Sequence, residues 1–95
     1  MNIVRHRVFL RNFQKRVFPN RDLVRRFEER MGLFIVDTHN PILRDHQLVG
    51  EKRNLRAFSV TGDIRVVYKI ERDDIVLLDI GNHNQVYRAC FWYNE

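Results

Sequence analysis

The sequence predicts an α+β fold. Apolar residues recur at about every fourth position between residues 9 and 34, which is the period of a helix face. Three short apolar runs between residues 55 and 80 are separated by turn signals and read as strands. The order is therefore a strand, two helices and an antiparallel meander, with helices and strands segregated along the chain rather than alternating. Ninety-five residues suffice for one domain with a modest core, so residues 1–95 are read as a single domain.

The elements follow in order. Residues 2–8 alternate loosely and suit a first strand. Phe9, Phe13 and Val17 then share one face of a short helix, which Pro19-Asn20 interrupts. Asn20 can cap a second helix by accepting from its free backbone N–H groups, and Asp22 suits the positive end of the helix dipole in the first turn. Leu23, Phe27, Met31 and Phe34 form the apolar face of that helix. Arg21, Arg25, Arg26, Glu28, Glu29 and Arg30 form its charged face. Gly32 weakens it by about 1 kcal/mol relative to alanine, and the pattern carries it to about Val36.

Residues 37–54 are polar, contain Pro41 and Gly50 and have no period. A connection this long in so small a chain points to function, with Ile42, Leu43 and Leu48 pinning it to the core. The meander follows, with strands at 55–61, 64–70 and 75–80, a turn at Gly62-Asp63 and another at Arg72-Asp73-Asp74. Alternation sets Ile64, Val66, Tyr68 and Ile70 against Arg65, Val67 and Lys69 on the other face. The aromatic tail from Val86 is expected to add an edge strand or to cover the core.

Composition narrows the partners. The net charge is +5, and it is unevenly placed: residues 1–56 hold 13 Lys+Arg against 6 Asp+Glu, and residues 57–95 hold 4 against 6. Only three of the cations are lysine. Arginine's planar fork suits phosphate, so the basic half fits a polyanionic partner or an acidic protein segment, and composition alone weighs this evenly against a solvated helix face. No apolar run is long enough to cross a membrane. Two arginines and a histidine stand where a secretory signal would place its apolar segment. The single cysteine, Cys90, cannot form an internal disulfide and reads as a small apolar side chain. A cytoplasmic location is expected.

The meander also brings chemistry together. Its third strand runs antiparallel to its second, so Gly81, Asn82 and His83 should emerge at the end that carries Asp63 and Arg65, close to Ser59 and Thr61. Tyr87 follows His83 by four residues, one helical turn. An imidazole, a carboxylate, a guanidinium and hydroxyls at one rim suit attack of a ribose 2′-hydroxyl on its phosphodiester. That reaction needs a base, an acid for the leaving oxygen and positive charge for the crowded phosphate. The rival reading makes His83 a turn residue bonding its own loop and Asp63 an ordinary turn aspartate. His6, His39, His46 and His83 show no paired helical spacing and there is no Cys-x-x-Cys, so neither a metal nor a cofactor is expected.

The stretch "LRAFSVTGDIRVVYKIERDDIVLLDIGNHNQVY", together with the upstream "NPILRDHQLVG", resembles the RelE/ParE toxin superfamily of bacterial type II toxin–antitoxin modules, in its YafQ-like branch. The resemblance spans about residues 40–87. It rests on "DHQLVG", "TGDIRVVY" and "IGNHNQVY" in that order. It implies a small antiparallel sheet with two helices on one face, and a ribosome-dependent mRNA endonuclease that needs no metal and is restrained by a cognate antitoxin. The antitoxin complex would set the oligomeric state. The site would lie on the sheet surface, where mRNA in the 70S ribosome is cut by its own 2′-hydroxyl.

Residue by residue, the resemblance assigns His46, Asp63, His83 and Tyr87 to catalysis. His83 is expected as the general acid, either His46 or Asp63 as the base, and Tyr87 as the ring that closes the site. Arg65 is expected on the scissile phosphate, with Lys52, Arg53, Arg56 and Ser59 also on the RNA. YafQ itself carries a further histidine where Ser59 stands. Two other readings use the same fold: a ParE-like inhibitor of DNA gyrase, and a non-toxic module that binds only an antitoxin-like peptide. The gyrase reading leaves the His/Asp/Tyr set without a purpose.

Overall fold

A five-stranded mixed sheet organises the molecule, with strands in the order β1-β5-β4-β3-β2. The computed structural model describes residues 2–48 and 54–89, with side chains through Tyr87. The candidate RNA contacts Lys52 and Arg53, and Cys90 with the aromatic tail beyond it, lie outside the described residues. The elements are β1 (Asn2–Arg5), α1 (Arg7–Arg16), α2 (Arg21–Val36), a 3-10 turn (Pro41–Leu43), β2 (His46–Gln47), β3 (Arg56–Ser59), β4 (Ile64–Glu71), β5 (Asp74–Asn82) and α3 (His83–Ala89). No described helix is long and apolar enough to cross a membrane.

Helices α1 and α2 pack on one face of the sheet. Phe9, Val17, Phe27, Met31 and Phe34 meet Phe58, Val66, Tyr68, Leu77 and Ile80 in a single buried cluster. Phe34 stacks on Phe58 with ring centroids 4.5 Å apart and meets Tyr68 edge-on at 5.0 Å. Aromatic burial of this kind dominates the energetics of a small core. The other face holds a smaller cluster of Leu48, Leu55, Ala57, Val67, Leu78 and Val86, the last from α3. Along β3 the alternation is clean, with Phe58 on the first face and Ala57 on the second.

The α+β class and the bounds of α2 match the sequence reading, including the cap: Asn20 Oδ1 accepts from Leu23 N at 3.2 Å. Several details differ. The first strand ends at Arg5 because His6 caps α1, its Nδ1 accepting from Val8 N at 3.1 Å. His6 is thus a partly buried capping residue. Strand β1 pairs with β5 in parallel, so the sheet is mixed, and the two helices supply the long crossover that a parallel pair requires. Part of the long connection forms the fifth strand, β2, antiparallel to β3. Leu43 and Leu48 are buried as expected, but Ile42 is exposed. After β5 the chain turns into a helix rather than an edge strand, and its Val86 covers the second face.

One irregularity shapes the centre. The β4–β5 register slips between Val67, which pairs with Asp79, and Tyr68, which pairs with Leu77. This bulge interrupts the alternation along β5. Asp79, 0% exposed, then meets α1. Its Oδ1 accepts from Asn12 Nδ2 at 2.7 Å and from Ile80 N at 2.8 Å, and lies 3.4 Å from the Arg16 guanidinium. Arg16 also donates to the Ile80 carbonyl at 3.0 Å.

Candidate functional site

Pairing in the meander assembles one rim of the second face. Arg65 on β4 sits opposite Ser59 on β3 and Gly81 on β5. Ile64 sits opposite Asn82, so the turn at Asp63 and the start of α3 share that end of the sheet. The Arg65 guanidinium lies 3.4 Å from His83 Nδ1. One turn along α3, Tyr87 stacks on His83 with centroids 4.1 Å apart and ring planes 33° from parallel.

The Gly-Asn-His-Asn sequence has a local cause. Asn82 and Gln85 form a reciprocal cap: Gln85 N donates to Asn82 Oδ1 at 2.9 Å and Asn82 N to Gln85 Oε1 at 2.8 Å. Two otherwise orphaned donors of the first turn are satisfied this way. The cap needs Gly81, because a Cβ there would stand 2.6 Å from Gln85 Oε1 and 2.8 Å from the Arg16 guanidinium. A strand thus turns into a helix within one residue, and His83 is the first residue after the turn.

Asp63 is exposed in the β3–β4 turn. Thr61 Oγ1 shapes that turn by accepting from Asp63 N at 3.2 Å and Ile64 N at 2.9 Å. Arg65 is half-buried, and its Nε is buried without a hydrogen-bond partner. No carboxylate among the described residues pairs with it. A buried donor left unmet is costly unless a partner is brought to it.

His46 lies on the outer strand, opposite Ala57, which is itself opposite Val67. Alternation puts His46, Ser59, Arg65 and Val67 on one face. Two strand spacings and two residues of rise separate His46 from Arg65, roughly 12 Å between Cα atoms. His46 therefore stands apart from Arg65, with the buried Ala57 and Val67 between them.

Their tautomers follow from their partners. His46 Nδ1 is 2.9 Å from the Arg44 carbonyl oxygen, which can only accept. Nδ1 therefore carries the proton of the neutral ring and Nε2 offers a lone pair. His83 Nδ1 faces a guanidinium N–H, which can only donate, so the proton of its neutral ring is on Nε2. His46 thus offers a basic nitrogen as it stands, and His83 becomes an acid only when it is charged.

Arg56 does not reach this rim. It is in phase with Phe58, and its side chain lies on the helix-covered face. There Nε and one terminal nitrogen are 2.8 and 2.7 Å from Asp45 Oδ1. The Tyr68 hydroxyl donates to the other oxygen of Asp45. Burial first, and then the bond to Asp45, hold the Tyr68 hydroxyl well above its ordinary pKa, so it stays a neutral donor. Sequence reasoning missed this Asp45–Arg56–Tyr68 cluster and the Asn12–Arg16–Asp79 one. The available signals were an aspartate inside an apolar strand and an arginine in phase with core residues. Among the described residues no group of three or more His, Cys, Asp or Glu could hold a metal ion.

Residues 1–88 match the family described as bacterial toxin of type II toxin-antitoxin system, YafQ. No curated protein matches the chain by sequence. Among solved structures it is similar to YafQ from E. coli strain BL21(DE3), at 20% identity over 90% of this chain and 97% of that one, with a TM-score of 0.71. It is similar to a chain of the E. coli DinJ–YafQ complex, at 19% identity, the same coverages and a TM-score of 0.74. It is also similar to the YoeB/ParE toxin from Agrobacterium tumefaciens, at 11% identity over 87% of this chain and 99% of that one, with a TM-score of 0.73. At such identities the likeness speaks to the fold alone.

Proposed function

The chain belongs to the YafQ family of bacterial toxins of type II toxin–antitoxin systems, and from that premise we propose that it is a ribosome-dependent endoribonuclease that cuts mRNA. The observation that carries this reading is the Arg65 guanidinium, unpaired by any described carboxylate, against His83 and the Tyr87 ring at an open rim of the sheet. His46 Nε2, with Asp63 beside the path of the substrate, takes the proton of a ribose 2′-hydroxyl. The freed oxygen attacks the adjacent phosphorus. His83, charged as the imidazolium, gives its Nε2 proton to the departing 5′-oxygen and becomes neutral as the P–O5′ bond breaks, leaving a 2′,3′-cyclic phosphate and a 5′-hydroxyl. Arg65 holds the phosphate oxygens as charge builds on them, the kind of fixed electrostatic aid that usually supplies the largest share of such catalysis. Tyr87 packs on the acid and closes the site, and Ser59 offers a hydroxyl beside Arg65. Side chains fill every role, so the reaction is metal-independent in this proposal.

The arginines on the exposed faces of α1 and α2, together with Lys52 and Arg53, grip ribosomal RNA, which makes binding strongly salt-dependent. Such a toxin works in the cytoplasm. A cognate antitoxin restrains it, as the partnership of DinJ with YafQ suggests, and the complex of the two sets the oligomeric state. The test is to incubate the purified chain with programmed 70S ribosomes and map the RNA ends. Cuts positioned by codon, abolished by His83→Ala, are expected. Uncut mRNA with translation intact, or loss of DNA supercoiling in its place, would sink the proposal.

A further inference from the structure

We infer that Asp45, clamped by Arg56 and Tyr68, is a positioning residue for His46; this rests on the reading of His46 as the base. The strand that carries His46 is two residues long and outermost in the sheet, and among the described residues it holds the pairs His46–Ala57 and Gln47–Arg56, with Leu48 N donating to the Leu55 carbonyl at 2.9 Å just beyond them. So short an edge strand is weakly fixed by its own ladder. A second attachment lies directly beneath it. Asp45 precedes His46, and its side chain turns to the opposite face, where it is 4% exposed. There it takes two contacts from the Arg56 guanidinium and one from the Tyr68 hydroxyl. Tyr68 belongs to β4, 1% exposed and wedged against Phe34 and Phe58. The tie therefore passes beneath β3 and fastens the edge to the middle of the sheet.

A third attachment lies above. Arg44 adopts left-handed backbone geometry, φ 50°, and its carbonyl oxygen receives the His46 ring. The peptide around residues 44–46 is thus held from below by a carboxylate and from above by the imidazole itself.

Stability alone does not account for this choice of residues. A buried ionic cluster is seldom more stabilising than apolar residues of the same volume, because desolvation offsets the attraction. A directional clamp instead fixes where the following residue points. An error of 1 Å at a reacting group can cost about 10²-fold in rate.

The test is a mutant cycle on the full chain with programmed ribosomes, joined to NMR of the free protein. Asp45→Asn and Tyr68→Phe should lower kcat about 10²-fold, with KM for ribosomes unchanged and the fold retained by circular dichroism. In a His46→Ala background the same changes should cost nothing further. In a His83→Ala background their cost should multiply with that of the histidine. The ring nitrogens of His46 should report a single Nδ1–H tautomer in the wild type and a mixture in Asp45→Asn, a readout independent of any nuclease activity. Equal losses in the wild-type and His46→Ala backgrounds, or an unaltered tautomer in both variants, would overturn the positioning role. An altered tautomer in a protein that cuts no RNA would uphold the clamp and discard the nuclease reading.

Discussion

The two faces of the sheet treat charge in opposite ways. On the face under α1 and α2, Asp79 and Asp45 are almost wholly buried, and each is matched by an arginine and a neutral donor. On the face under α3, His83 and Asp63 are exposed, and Arg65 has no carboxylate against it among the described residues. Paired charge on the first face fixes the fold; on the second, Arg65 is left for the proposed ligand. The contrast separates stability from activity, so variants on the two faces should fail in different assays.

The sharpest separation sets His83→Ala against Phe34→Ala. Removing the proposed acid should lower mRNA cutting by about 10² to 10⁴, read from RNA ends on programmed ribosomes, while the thermal midpoint hardly moves, as for an exposed residue. Removing a fully buried ring that stacks on Phe58 should cost about 3–5 kcal/mol of unfolding free energy, read by urea denaturation. If His83→Ala unfolds the protein, the two faces do not divide as described.

Next in size is Asp79→Ala. It leaves Asn12 without its acceptor and Arg16 without its carboxylate, and breaking a buried pair from one side costs about 3–5 kcal/mol. Because Arg16 is half-exposed, the lower end is expected. Asn82→Ala should cost about 1 kcal/mol, the usual worth of a cap, but it also loosens the turn that delivers His83. It is therefore the variant in which both assays should move. Denaturation and end mapping on one preparation check this directly.

The same division explains what could be read from the sequence. Both helices were legible, because Phe9, Phe13, Phe27 and Phe34 keep a helical period and Asn20 announces a cap. The hairpins were legible from Gly62-Asp63 and from the turn at residues 72–74. So was the approach of His83 to Arg65, since antiparallel register follows from turn position. The parallel docking of β1 was not, because periodicity records a strand's faces and not its neighbours. Strand β2 is too short to have a period. Helix α3 was missed although Asn82 and Gln85 spell a capping pair, because a run of strand residues leads straight into it. Arg56 was expected on the RNA, although alternation with Phe58 and Val60 already placed it on the core face. The Asp79 bulge left only one trace, an acid in an apolar run.

The smallest expected effect lies on a single strand and makes the comparison strictest. Arg65 and Lys69 share β4 and share a face, yet Lys69 has a partner: its ammonium is 2.7 Å from Glu71. The hydrogen bond and charge of Lys69 hold the Glu71 carboxyl below its ordinary value of 4.5. A carboxyl depressed by folding adds stability above its unfolded pKa and loses it as pH falls through the folded one. Lys69→Ala should therefore leave cutting unchanged, lower the melt at pH 7 slightly, and reduce the loss of stability on acidification below about pH 4.5. Arg65→Ala, four residues away, should weaken cutting and lower the slope of ribosome binding against salt by roughly one counter-ion. If the two variants behave alike, the lack of a counter-charge at Arg65 has no functional meaning, and the division between the faces rests on burial alone.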